Sequence, residues 1–150
     1  MPWTYRHASR EWRAFLDDAK ERMCLESDNM AYTAVDAVLQ VFRRRLSAPE
    51  GLEFASVLPS VLRAIFVQNW DVTESRTEFY DRKRLVSEVK AVRVNHNLTP
   101  DNAIEATAWA VRRSTNRRDF ERVLAKLSPE ARDFWQVDVD DPAELEQRII

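Results

Sequence analysis

The stretch FASVLPSVLRAIFVQNWD, residues 54–71, decides the fold class. Its apolar residues recur at helical spacing on both sides of Pro59, and Trp70 lies close to its end. A proline inside a helix costs about 3 kcal/mol, and it pushes the residue before it, here Leu58, out of the helical region. The stretch therefore predicts two short helices, or one sharply kinked helix, that pivot at Leu58–Pro59.

The composition of the 150-residue chain is typical of one helical domain. Apolar residues make up 45% and charged residues 32%, a balance that argues against disorder. A single glycine leaves too few positive-φ turns for an antiparallel β protein, and a single cysteine excludes an intrachain disulfide. The net charge of −2 provides no bulk attraction to nucleic acid or anionic lipid. We therefore expect residues 1–150 to form one all-α domain in the cytoplasm, without a membrane-spanning segment.

Helical spacing of apolar residues recurs along the rest of the chain. Further helices are predicted over residues 9–23, 30–46, 82–94, 98–114, 118–127 and 128–135, and another begins near Pro49. Capping signals mark several starts, because Ser9, Asp81 and Ser128 are suitable N-caps. Thr99 is predicted as an N-cap with Pro100 at the first helical position.

The helices repeat along the chain. A shift of 69 residues aligns residues 34–66 with residues 103–135 without a gap and gives six identities. Both halves then consist of two longer helices and a proline-broken third helix, whose second copy is LSPEARDFW. Such units bury their apolar faces against each other. We therefore predict a helical bundle of two similar repeats, about residues 9–70 and 79–137, followed by residues 138–150 as an acidic tail or a short terminal helix from Asp141.

Three motifs carry a resemblance to a known family. AVDAVLQVFRRRL, FASVLPSVLRAIFVQNWD and LSPEARDFW resemble the bacterial domain-of-unknown-function family numbered 2267, over about residues 10 to 137. The resemblance implies an all-helical, internally duplicated, cytoplasmic bacterial protein. It implies no established activity, cofactor or site residue, so any function must be argued from the residues themselves.

Signatures of catalysis and of metal binding are missing from the sequence. There is no glycine-rich phosphate loop, and neither His7 nor His96 has a carboxylate or cysteine at ligand spacing. Cys24 is expected to be a small packing residue at a helix end. Asp36 and Glu105 occupy equivalent positions in the two repeats, but without histidines they do not make a dimetal site. We predict no catalytic, cofactor or metal site, and we expect a non-enzymatic protein.

Arginines form the most suggestive pattern. The candidate contacts for an anion or a partner are Arg43, Arg44, Arg45, Arg112, Arg113, Arg117 and Arg118. The runs 43–45 and 112–113 end equivalent helices, where each cation stabilises the helix dipole by about 0.3–1 kcal/mol. Because arginine also binds phosphate well, the same residues could form an anion or nucleic-acid surface duplicated by the repeat.

Three functions remain open from the sequence. The leading hypothesis is a structural or interaction module that binds an unknown protein partner or a second copy of the chain, with Trp3 and Tyr5 as surface contacts. The first alternative is a small-molecule or anion-binding domain that uses the groove between the repeats. The second is nucleic-acid association through the repeat-related arginines, which no recognition-helix pattern supports.

Overall fold

The computed structural model describes residues 1–93 and 99–150, and within them every regular element is helical. The described helices are α1 Trp3–Arg6, α2 Ala8–Arg22, α3 Asp28–Arg43, α4 Ala48–Ser56, α5 Ser60–Val67, α6 Arg82–Ala91, α7 Ala103–Ser114, α8 Arg117–Ala125, α9 Pro129–Phe134 and a 3₁₀ helix, Pro142–Leu145. The predicted all-α fold is therefore confirmed. His96 and the end of the predicted helix 82–94 lie outside the described residues.

The proline divides the 54–71 stretch into two helices. α4 ends at Ser56 and α5 begins at Ser60, with Pro59 between them in an extended conformation at φ −58° and ψ 156°. Arg63 on α5 donates a hydrogen bond from Nη2 to the backbone oxygen of Leu58 at 3.1 Å. Two separate helices tied across the break are thus found, which is the first of the two predicted alternatives.

Polar side chains cap many of the helix N-termini. Ser27, Ser47, Asp81, Asn116 and Ser128 each accept a hydrogen bond from the backbone N–H three residues later. A cap of this kind stabilises a helix by about 0.5–2 kcal/mol, because it satisfies an N–H that has no partner inside the helix. The predicted caps Asp81 and Ser128 are confirmed.

Two predicted helix starts are wrong. α2 begins before Ser9, which lies inside it. α7 begins at Ala103 rather than directly after Thr99, and Asn102 precedes it. The Asn102 side chain does not cap α7, because it donates to the backbone oxygen of Arg22 at 3.0 Å. That residue therefore links the end of α2 to the start of α7 instead of extending α7.

An aromatic cluster joins the two halves of the chain in one core. Trp135 from the second half lies 5.1 Å from Phe42 and 5.3 Å from Phe54 of the first half, measured between ring centroids. Phe134 lies 5.0 Å from Phe42, and all four side chains are buried. Such aromatic pairs contribute about 0.5–1.5 kcal/mol each beyond the area they bury. The halves therefore stabilise each other rather than standing alone.

The same contacts recur at the predicted offset. α8 begins and ends 69 residues after α4. Arg43 Nη1 donates to the backbone oxygen of Phe66 at 2.9 Å, and Arg112 Nε donates to that of Trp135 at 2.9 Å. Donors and acceptors are both 69 positions apart. These contacts support the predicted duplication, which stays a prediction for the two halves as wholes.

The C-terminal segment packs on the bundle. Its 3₁₀ helix follows Asp141, whose side chain accepts a hydrogen bond from the backbone at 3.0 Å. Trp109 Nε1 on α7 donates to Glu144 at 2.9 Å, and Arg148 forms an ion pair with Asp18 of α2. Of the two predicted alternatives for this segment, the structure contains the short terminal helix.

Candidate anion-binding groove

A groove of about 800 Å³ lies where α3 ends and α4 begins, and residues 69–77 form its outer wall. That volume falls within the range of small-ligand sites. We call it the Arg43 groove. The side chains that matter among those lining it are Arg43, Arg44, Ala48, Trp70, Arg76 and Glu88.

The outer wall is held by its own hydrogen bonds. The wall begins at Asn69, whose backbone is left-handed at φ 56°. Asparagine adopts this conformation more readily than most residues. The backbone N–H of Thr77 donates to the backbone oxygen of Arg44 at 3.0 Å, which ties the wall to α3. Hydrogen bonds from the Thr73 side chain and backbone lower the pKa of Asp71 within the same wall.

Trp70 lies directly over the one glycine of the chain. A Cβ atom on Gly51 would lie 2.1 Å from the Trp70 ring, so no larger residue fits without moving the ring. The opposite neighbour of Trp70 is Phe66, at 5.9 Å between ring centroids. Gly51 is therefore required by a close approach, and this approach sets the position of one wall of the groove.

Arg43 is largely buried beside the groove, with 9% of its surface exposed. Its Nη1 donates to the backbone oxygens of Phe66 at 2.9 Å and Gln68 at 2.8 Å, which caps the end of α5. Burial lowers the pKa of Arg43. Within the described residues no carboxylate oxygen lies within 4.0 Å of its guanidinium group, and residues 94–98 contain no Asp or Glu.

The two neighbouring arginines share one carboxylate. Arg45, whose side chain is fully buried, lies 2.6 Å from Glu88, and Arg44 lies 3.0 Å from it. Burial alone would raise the pKa of Glu88, but the hydrogen bonds from Arg45 and Arg44 hold it below its ordinary value. Both guanidinium groups therefore contact a carboxylate, in contrast to that of Arg43, although Glu88 balances only one of their two charges.

The arginines of α7 also have carboxylate partners. Arg112 lies 2.6 Å from Glu121. Arg113 lies 3.1 Å from Asp18, donates to the backbone oxygen of Glu144 at 2.8 Å and stacks 4.6 Å from the Trp109 ring centroid. Both residues therefore hold the fold together through specific partners.

The structure does not bring the seven candidate arginines into one surface. Arg117 and Arg118 are exposed in the first turn of α8, away from the helix C-termini occupied by the others. Arg117 and Arg112 line a second groove of about 550 Å³. Arg43 and Arg44 thus line one groove and Arg112 and Arg117 another, while Arg45, Arg113 and Arg118 line neither of the two.

A buried ionic cluster that the sequence did not predict lies at the same end of α7, around Asp18. Asp18 is 2% exposed and pairs with Arg113 and Arg148. A signal for it exists, because Asp18 falls three residues after Phe15 on the apolar stripe of α2, where a charge needs a partner. Trp109 joins this cluster between Arg113 and α2, a position that helical periodicity does not specify.

The remaining predicted residues are separate from one another. Glu105 binds Arg22 at 2.6 Å and Asp36 accepts from Gln40, so each carboxylate has its own partner. The expectation that Cys24 packs in the interior is wrong: it is exposed and left-handed at φ 56°, because it ends α2 without a glycine. No group of three metal-ligating side chains occurs among the described residues.

The exposed aromatic pair predicted at the N-terminus is confirmed. Trp3 is 55% exposed and Tyr5 is 53% exposed on α1. α1 itself is tied to α5, because Ser60 Oγ donates to the backbone oxygen of Thr4 at 3.1 Å. In the part of the chain that the structure describes, no helix combines the length and apolarity needed to cross a membrane.

A family model matches most of the chain. The family described as an uncharacterized conserved protein, DUF2267, matches residues 12–134. That range contains every helix from α3 to α9, together with the Arg43 groove. A comparison with curated proteins gives no match.

Proposed function

The chain belongs to the DUF2267 family, and we propose that it is a non-enzymatic module that binds a small molecule in the Arg43 groove. The observation that carries the proposal is the construction of the groove wall. Gly51, the single glycine, allows Trp70 to lie over α4, and Asn69 and Thr77 fix the two ends of the wall. A volume of about 800 Å³ fits a metabolite-sized ligand.

The chemistry around the groove suits binding. Its walls carry guanidinium, hydroxyl and carboxylate groups together with an indole, which supply polar contacts and a flat apolar surface. Binding sites typically combine a few placed polar groups with aromatic surface. The proposal takes up the small-molecule function of the first alternative, but it places the site in a groove lined mainly by the first repeat and residues 71–77 and not between the repeats. A cytoplasmic location remains part of it.

Native mass spectrometry tests the proposal with a groove-filling variant. Ser75 lines the groove and is exposed, so Ser75→Trp should fill it without disturbing the core. Ser87→Trp, at an exposed position of α6 that does not line the groove, is the matched control. We expect a small ligand to co-purify with the wild type and with Ser87→Trp, and to be lost from Ser75→Trp. Retention of the ligand by Ser75→Trp, or absence of a small ligand from the wild type, would overturn the proposal.

The competing functions have separate readouts. The Trp3 and Tyr5 pair is the specific observation that favours self-association, so light scattering of Trp3→Ser/Tyr5→Ser tests it. A dimer that this double variant dissociates would favour the interaction module. Salt-sensitive binding to heparin that is lost in the quadruple variant of Arg43, Arg44, Arg112 and Arg113 to alanine would favour nucleic acid.

A further inference from the structure

We infer that the ligand of the Arg43 groove carries an oxyanion, a carboxylate or a phosphate, and that this group pairs with the unused edge of Arg43. The inference rests on the proposed function, because it names the chemistry of the ligand for the same groove. It depends on three observations about Arg43: its unused donors, its burial without a carboxylate, and its difference from the equivalent arginine of α7.

Arg43 has N–H donors that the fold does not use. A guanidinium group has five N–H donors, and in Arg43 both hydrogen bonds to the end of α5 come from Nη1. Nε and Nη2 have no partner among the described residues. Arg43 lines the groove. The Nε–Nη2 edge is the fork that binds a carboxylate or a phosphate through two parallel hydrogen bonds.

Charge is the second observation. An arginine that is 9% exposed has lost most of its hydration, and a buried charge without a counter-ion is costly. The other buried or half-buried arginines at the ends of α3 and α7 all have a carboxylate: Arg45 has Glu88, Arg112 has Glu121 and Arg113 has Asp18. Arg43 is the exception: Asp36 and Glu74 attract it only from beyond 4.0 Å, so an incoming anion would supply the contacting counter-ion that the described chain does not.

The other charges at the groove leave this role to Arg43. They are Arg44, Arg76, Asp71, Glu74 and Glu88. Arg44 is paired with Glu88 at 3.0 Å, and Arg76 lies 3.4 Å from Glu50 of α4. Asp71 is hydrogen bonded within the wall, and Glu74 is exposed to solvent. A small anion would therefore meet Arg43, which has no carboxylate in contact, next to Arg44, which shares Glu88 with Arg45, and the indole of Trp70.

The equivalent arginine of the second half has a carboxylate of its own. Arg112 caps α9 through Nε, whereas Arg43 caps α5 through Nη1, and the Nη1 of Arg112 donates to Glu121 at 2.6 Å. The residue 69 positions before Glu121 is Leu52, which has no charge. The chain thus supplies a carboxylate at one of two equivalent arginines and leaves the other for a ligand.

Calorimetric titration tests the inference, with inorganic phosphate and succinate as separate probes at low ionic strength. We expect the wild type to bind at least one of them at a single site, and the tighter one identifies the source of the oxyanion. Arg43→Gln should weaken binding about tenfold or more, the loss expected for a charged hydrogen-bonded pair. Arg112→Gln, which loses the same type of cap, should bind as the wild type does.

A second pair of variants keeps the test valid if Arg43→Gln does not fold. Ala48 lines the groove at the start of α4, where a carboxylate suits the helix dipole. Ala48→Glu should weaken binding of the probe at least threefold relative to Ala48→Gln, which has the same size without the charge. Equal binding by this pair, or binding that Arg43→Gln leaves unchanged, would overturn the inference.

The two proposals fail in different ways. If a ligand co-purifies in the groove and Ser75→Trp loses it, while both probes ignore Arg43 and the charge at Ala48, only the oxyanion is wrong. If no ligand and no probe binds the wild type, the proposed function fails together with the inference. Probe binding that is lost in Arg43→Gln and weakened by Ala48→Glu supports both proposals.

Discussion

The ends of α3 and α7 perform the same backbone task with different charged neighbours. Arg43 donates to the backbone oxygen of Phe66 and Arg112 donates to that of Trp135, at 2.9 Å in both cases. Each acceptor lies at a helix end, 23 residues after its arginine. Arg112 has Glu121 as its counter-ion, whereas Leu52 stands at the position equivalent to Glu121 and is 65% exposed. The main difference therefore lies in the side chains of α4 and α8, although Arg43 caps through Nη1 and Arg112 through Nε. Capping alone does not neutralise an arginine, and the remaining charge is available for binding.

The two halves also differ in residue size at two pairs of equivalent positions. In the first half Gly51 on α4 receives the ring of Trp70 from outside the helix. The equivalent positions in the second half hold Phe120, which is buried in the core, and Val139. The first half thus places aromatic volume in a groove wall, and the second places it in the core.

The largest effect should come from Phe120→Ala. Removal of a fully buried phenyl ring leaves a cavity and costs about 3–5 kcal/mol of unfolding free energy. Urea denaturation followed by circular dichroism measures this loss. A cost below about 1 kcal/mol would contradict the role of Phe120 as a core residue of the second half.

Gly51→Ala should cost about 1–3 kcal/mol, because the new methyl group must displace the Trp70 ring. The same variant should reduce retention of the groove ligand, since Trp70 forms one wall. Leu52→Ala, at the exposed neighbouring position, is the control and should stay within about 0.5 kcal/mol of the wild type. Unchanged tryptophan fluorescence and unchanged stability in Gly51→Ala would contradict the assigned role of this glycine.

Glu88→Gln tests the ion pairs that Glu88 forms with Arg44 and Arg45. It should lower the free energy of unfolding by about 1–2 kcal/mol at pH 7. The folded protein holds the pKa of Glu88 below its ordinary value of 4.5, so its contribution is present above that pH and is lost as the pH falls through the folded value. The difference in stability between wild type and variant should therefore be constant from pH 7 to about pH 5 and shrink below it. A difference that grows on acidification would contradict the sign of the pKa shift.

The helices and the break at Pro59 could be predicted from the sequence, but the Arg43 groove could not. The spacing around Pro59 and the caps Asp81 and Ser128 depend on local chemistry, so the sequence is enough to predict them. The 69-residue offset pointed to Arg43 and Arg112 as equivalents, and both cap helices. Which of the two has a counter-ion depends on how α7 packs against α8, where Glu121 lies nine residues after Arg112, and helical periodicity does not encode that packing.

The start of α7 shows the same limit. Thr99 and Pro100 form a good N-terminal signal, yet the helix begins at Ala103. The competing interaction is the hydrogen bond from Asn102 to Arg22, whose residues are 80 positions apart. Tertiary contacts of this kind override local preference.

The smallest change in stability should accompany an exchange of the two neighbours. Glu121→Leu removes a half-exposed ion pair and should cost less than about 1 kcal/mol. It should also convert the single phosphate or succinate site of the wild type into two, because Arg112 loses its counter-ion. Leu52→Glu should weaken the original site. Calorimetric stoichiometry decides, and an unchanged count of one in Glu121→Leu would show that the carboxylate does not explain the difference.

The central claim is that Arg43, but not Arg112, binds an oxyanion. A crystal structure of the protein soaked in selenate, with anomalous data at the selenium edge, tests this claim most directly. We predict an anomalous peak within hydrogen-bond distance of Arg43 Nε and Nη2 and no peak beside Arg112. A groove without a peak, or peaks of equal height at both arginines, would contradict it.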